Sequence, residues 1–100
     1  MKVNIQSIHF DADIKLLDFI TKKVEKAKTF YEGIDNAMVY LRLEKDAHGE
    51  NKVVEVKLNM AGHEVFAKEQ SNTFESAVDL VIDKIKAQVK KHKEKLQDKV

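Results

Sequence analysis

The chain has 100 residues, 43% hydrophobic and 35% charged, with no Cys, Pro or Trp, which is enough apolar material for one core and the expectation of a single domain over residues 1–100. Without cysteine there are no disulfides, thiolate nucleophiles or sulfur-dependent metal sites, which suits a cytoplasmic setting, and no stretch approaches the roughly 18 to 20 apolar residues of a membrane span. Eighteen Lys plus Arg against seventeen Asp plus Glu leave a net charge of +1, which by itself points to neither nucleic acid nor an acidic partner.

Met1 to Ile8 carries Val3, Ile5 and Ile8 among polar residues and reads as a strand with an irregular end. Asp11 and Asp13 offer N-cap oxygens. From Ile14 the residues Leu17, Ile20, Val24, Ala27 and Tyr31 form one helical stripe, ending near Tyr31 with Gly33 placed for a left-handed cap. Three strands follow with period two, pointing inward Val39, Leu41 and Leu43, then Val54, Val56, Leu58 and Met60, then Val65 and Ala67. Ala47-His48-Gly49-Glu50 and Ala61-Gly62-His63 are short enough to be hairpin connections, so these strands should be antiparallel neighbours.

Asn72 or Thr73 begins the last element, with Asn72 and Glu75 spaced as a capping box. Phe74, Val78, Ile82, Ile85, Val89 and Leu96 carry an apolar stripe to about Gln97. Such a helix is about 37 Å long against about 27 Å for an eight-residue strand, so its last turns should overhang the sheet. The order is βαβββα, an α+β fold. A right-handed crossover makes the first two strands parallel, so the two helices should be roughly parallel on one face of a four-stranded mixed sheet, with their C-terminal ends at one edge.

The charges are sorted along both helices. Asp11, Asp13 and Asp18 against Lys15 give −2, whereas Lys22, Lys23, Lys26 and Lys28 against Glu25 give +3. From Glu64 to Asp79, across the last strand and the start of the last helix, Glu64, Glu69, Glu75 and Asp79 against Lys68 give −3, and from Lys84 to Lys99 Lys84, Lys86, Lys90, Lys91, Lys93, Lys95 and Lys99 against Glu94 and Asp98 give +5. The helix dipole alone favours this arrangement, but only within the terminal turn, whereas these lysines cover several turns and repel one another. Lys86, Lys90 and Lys93 line one flank of the apolar stripe and Lys84, Lys91 and Lys95 the other, two cationic rails suited to a polyanion backbone.

Catalytic chemistry is missing from the pattern. His9, His48, His63 and His92 fall on a strand end, two loops and a helix end with no metal-ligand spacing; Ser7, Ser71 and Ser76 lack a nucleophile elbow; no Gly-rich loop could cradle a nucleotide. Asp79 and Asp83 sit one helical turn apart, as solvent-facing acids do. Neither a metal, a cofactor nor a small-molecule substrate is expected, and the chain does not read as an enzyme. On the outer sheet face Met38, Tyr40 and Phe66 should be exposed, either as ordinary surface residues or as a face for a partner or for stacking on bases.

Val3-Asn4-Ile5, Phe19-Ile20-Thr21, the run Val39 to Lys45 and especially Val78-Asp79, Ile82-Asp83-Lys84-Ile85, Gln88-Val89 and Lys91 to Leu96 follow one another with nearly the spacing of a known family. Over essentially its whole length the chain resembles the short ribosome hibernation-promoting and ribosome-associated translation inhibitor family, also called sigma-54 modulation proteins. The resemblance implies a fold similar to a double-stranded-RNA-binding domain with an added first strand. It also implies binding to the small ribosomal subunit and its rRNA, in the channel otherwise used by mRNA and tRNA, with inhibition by occupancy. Lys23, Lys26, Lys84, Lys91, Lys93 and Lys95 match basic positions of the family, and Lys22, Lys86 and Lys90 add charge nearby; apart from the resemblance, Tyr40, Arg42 and Phe66 are candidate contacts on the sheet face. Thr73-Phe74-Glu75 and Ala87 depart from the family pattern. Without an acidic tail the chain resembles the type that promotes ribosome dimerisation with a second hibernation factor. The alternative is a protein-interaction module using the sheet face, its lysines serving solubility.

Overall fold

A computed structural model describes residues 2–26, 33–45, 47, 49, 51–60 and 62–97, with side chains described as far as His92 in the last helix. The elements run β1 (Lys2–Ser7), α1 (Ile14–Glu25), β2 (Ile34–Leu43), β3 (Lys52–Met60), β4 (His63–Ser71) and α2 (Phe74–Gln97). They form one four-stranded sheet in the order β1-β2-β3-β4, with β1 parallel to β2 and the other pairs antiparallel. The βαβββα order and mixed sheet are those expected.

Local chemistry sets the ends of the elements. β1 leaves the sheet after one further bond, Ile8 N–H to the Leu41 carbonyl at 2.9 Å, and turns through His9 at φ +64°. Asp13 caps α1, its Oδ1 accepting from the Leu16 N–H at 2.8 Å. The expected end of α1 near Tyr31, with its cap at Gly33, depends on residues 27–32, which lie outside the described residues. The β3–β4 connection is shorter than expected: Met60 pairs with His63, which opens β4 instead of lying in the loop. The two-residue turn places Gly62 at φ +72°, a conformation that needs no Cβ.

Of the two expected starts of α2, Thr73 is the capping residue, its Oγ1 accepting from the Ser76 N–H at 3.0 Å, rather than the Asn72 of a capping box. The position a capping box would give to Glu is Ser76, whose hydroxyl instead meets the Ser71 hydroxyl at 2.9 Å. Glu75 therefore contributes as first-turn negative charge.

The core lies between the sheet and the two helices. Ala37, Val39 and Leu41, then Val54, Val56, Leu58 and Met60, then Val65 and Ala67 face Ile20 and Val24 of α1 and Phe74, Ala77, Val78, Val81, Ile85 and Val89 of α2. Leu43 was expected inward but is 49% exposed, because β2 here runs past the last β1 partner, Leu41. In α1 the buried stripe uses Leu16 and Phe19 beside Ile20 and Val24, while Ile14 is 74% exposed. Ile14 lies six residues before Ile20 and so about 120° around the helix from it.

The helices are roughly parallel. Phe10, leading into α1, stacks on Phe74 at 5.2 Å, and further along both helices Lys23 Nζ meets the Asp79 carboxylate at 3.2 Å. α2 runs back along β4, joined to it by Lys84 with Glu69, Gln88 with the Phe66 carbonyl at 2.8 Å, and His92 stacked on His63. Those contacts also shield the free edge of β4 from pairing with another chain.

Candidate nucleic-acid interface

α2 places its lysines according to the faces that packing leaves free. Asp79, paired with Lys23 of α1, marks the shoulder of α2 that looks toward α1. Asp83, Lys86 and Lys90 follow Asp79 at four, seven and eleven residues, so at 100° per residue all share that shoulder. Along this one line the charge changes from acidic to basic. Lys86 and Lys90 are exposed; Lys93, three residues further, continues the spacing, with its side chain outside the described residues.

On the opposite shoulder Lys84 binds Glu69 of β4 and Lys91, seven residues on and exposed, overlooks the same strand edge. Lys95 has its side chain outside the described residues. His63 is the first residue of β4, so the His63–His92 stack marks where the sheet ends beneath α2. Helix continues to Gln97, beyond the sheet as its length required.

α1 adds cations beside the first half of α2, where Lys23 reaches Asp79. Lys22 and Lys26 are exposed in its last turn and cap. Lys23 is half-buried, and its ammonium lies both against Asp79 and 5.5 Å from the Phe19 ring centre, so it ties the two helices together. Lys23 and Lys84 are each held by a carboxylate within the fold. Lys22, Lys26, Lys86, Lys90 and Lys91 are exposed.

The outer sheet face is less open than the alternation implied. Phe66 is 44% exposed, but Met38 and Tyr40 are half-buried because β2 is flanked on both sides, and Lys57 Nζ sits 5.9 Å from the Tyr40 ring centre. Arg42 is held by Glu55 across the β2–β3 pair and by Glu44 at 3.4 Å. Hydrogen bonding to Glu55 raises the Arg42 pKa above its ordinary value, so the guanidinium is charged at any working pH. In register between Arg42 and Gln70, Val53 is wholly buried although it points away from the main core. Like Lys23 with Asp79 and Lys84 with Glu69, Arg42 with Glu55 and His63 with His92 are invisible in sequence spacing; the two imidazole rings stack at 4.3 Å with 6° between their planes.

Among the described residues no three His, Asp or Glu side chains come together as a metal site, and no helix is long and apolar enough to cross a membrane. Exposed cations on an α/β frame can hold phosphates in place without reading sequence.

Comparison with known proteins gives the same direction. The family model described as Sigma 54 modulation protein / S30EA ribosomal protein matches residues 3–97. A ribosome hibernation promoting factor of Pseudomonas putida is 33% identical over 97% of this chain and 91% of its own length. The protein of that name from Escherichia coli K12 is 30% identical over 97% of this chain and 98% of its own. Among solved structures, a ribosomal subunit interface protein from Coxiella burnetii superposes with a TM-score of 0.84 at 21% identity, covering 94% of this chain and 99% of the other. The Thermus thermophilus Protein Y N-terminal domain gives 0.73 at 23% identity, covering 91% and 94%. The last two establish a shared fold, and the match over residues 3–97 together with the 33% identical relative establishes more: the chain belongs to the Sigma 54 modulation protein / S30EA ribosomal protein family, among the ribosome hibernation promoting factors.

Proposed function

We propose that the protein binds the small ribosomal subunit in the cytoplasm, in the channel where mRNA and tRNA would otherwise lie, and inhibits translation by occupying it. No bond is made or broken. Lysines of the α1 and α2 ends contact rRNA phosphates and position the wedge. A second hibernation factor then acts with it to dimerise the ribosomes, as the family resemblance implies.

The observation that carries this reading is the change of charge along the α1-facing shoulder of α2, from Asp79 and Asp83 to Lys86 and Lys90. Dipole effects end within the terminal turn, whereas Lys86 lies eleven residues before the end of α2. The names of the relatives supply the ribosome as the polyanion. If six or more phosphates are contacted, affinity for small subunits falls on the order of a thousandfold between about 50 and 200 mM salt. Binding measured across that range checks it; an affinity nearly independent of salt would favour the sheet face as a protein-docking surface instead.

A further inference from the structure

We infer that the outer face of the sheet is a second RNA contact, which takes an unpaired stretch of ribosomal RNA by stacking its bases on Phe66 and Tyr40. The ribosomal origin of the strand rests on the function proposed above; the stacking chemistry does not.

Strand register fixes the layout of this face. One row across the sheet reads Asn4, Met38, Lys57 and Phe66, and the next reads Gln6, Tyr40, Glu55 and Lys68. Phe66 and Tyr40 are thus two strands and two residues apart, about 12 Å, too far to clamp one base and suited to carrying a separate base each. Gln88 holds the Phe66 carbonyl, which anchors the backbone that carries the ring. Lys57 stands between the two rings, with its ammonium already near the Tyr40 face.

Charge decides between RNA and protein as the occupant. Lys2, Arg42, Lys57 and Lys68 share this face with Glu44, Glu55 and Glu64, and Arg42 is held by both Glu44 and Glu55, so the positive charge beside the aromatic pair comes from Lys57 and Lys68. The cores of protein–protein interfaces are depleted in lysine, and here a lysine occupies the middle of the aromatic patch. Amide side chains that can meet base edges, Asn4, Gln6, Asn36 and Asn59, fill much of the remainder; Asn59 donates to Asn36 at 2.8 Å. An aromatic pair ringed by lysines and amides is the composition of a single-strand platform.

The probe is octaadenylate RNA, titrated into the full chain and followed by anisotropy and by amide shifts. Resonances of residues 38–40, 55–57 and 64–68 are expected to move, and Phe66→Ala to weaken binding about tenfold or more. Phe66→Leu, which keeps apolar contact without the ring, gives the same loss, while Phe66→Tyr keeps affinity. An oligomer of equal length with abasic residues binds wild type as weakly as intact RNA binds Phe66→Leu. Shifts confined to the helices, or equal affinity for wild type and Phe66→Leu, would overturn the inference. Such a failure leaves lysine-mediated binding to small subunits intact, and a failure of the latter leaves octaadenylate stacking measurable.

Discussion

Replacing Lys86, Lys90 and Lys93 together by Glu is expected to abolish co-sedimentation with small subunits while the fold survives. The three substitutions exchange three positive charges for three negative ones on one line of α2, so they remove attraction and add repulsion against the same phosphates. Lys86 and Lys90 are exposed and occupy no core position, so the unfolding midpoint should stay within a few degrees of wild type. Each lost phosphate contact also lowers the slope of log affinity against log salt by about one, so whatever binding remains has a flatter salt profile. Unchanged co-sedimentation would refute the rail on α2. Reversing Lys23 is a poorer test, because it would break the bridge to Asp79 that joins the helices.

Ile85→Ala should cost about 2 to 5 kcal/mol, the largest stability effect expected from one residue of α2. Ile85 is fully buried where α2 crosses the sheet, among Val81 and Val89 of its own helix and the inward residues of β3 and β4. Its side chain leaves a cavity that close-packed neighbours fill only in part. For a domain of this size the loss lowers the melting temperature by about 10 °C or more. Leu80→Ala is the control: Leu80 is a residue of similar size on the same helix, 43% exposed, and its truncation should shift the midpoint little. Equal shifts for the two variants in thermal unfolding would contradict the assignment of the buried face.

Period and length made the architecture legible in the sequence. Alternation in Val54, Val56, Leu58 and Met60 fixed one face of β3, and the spacing of Phe74, Val78 and Ile85 fixed the buried line of α2. Where the reading slipped, a tertiary fact had intervened. Ile14 fits a helical period but starts α1 on the side away from the sheet, and Leu43 fits the strand period but lies where β2 has outrun β1. Asn72 and Thr73 were equivalent as caps until the Ser71–Ser76 contact placed the first turn.

The candidate site was legible as charge and not as partnership. Counting lysines along α2 gives both rails; it does not show that Lys84 is engaged by Glu69 or Lys23 by Asp79, since those carboxylates come from other elements. His63 and His92, twenty-nine residues apart, meet only because α2 returns along β4. On the sheet face, alternation identified Phe66 correctly as exposed and could not foresee that neighbouring strands half-bury Tyr40 and Met38.

Steric occupancy of the mRNA and tRNA channel makes binding of the protein and of those ligands competitive, which a titration can read. Labelled protein is titrated into small subunits alone and into small subunits preloaded with mRNA and tRNA. Mutually exclusive binding is expected, with the protein excluded by the preloaded ligands and able to displace them when in excess. Simultaneous binding at undiminished affinity would contradict it.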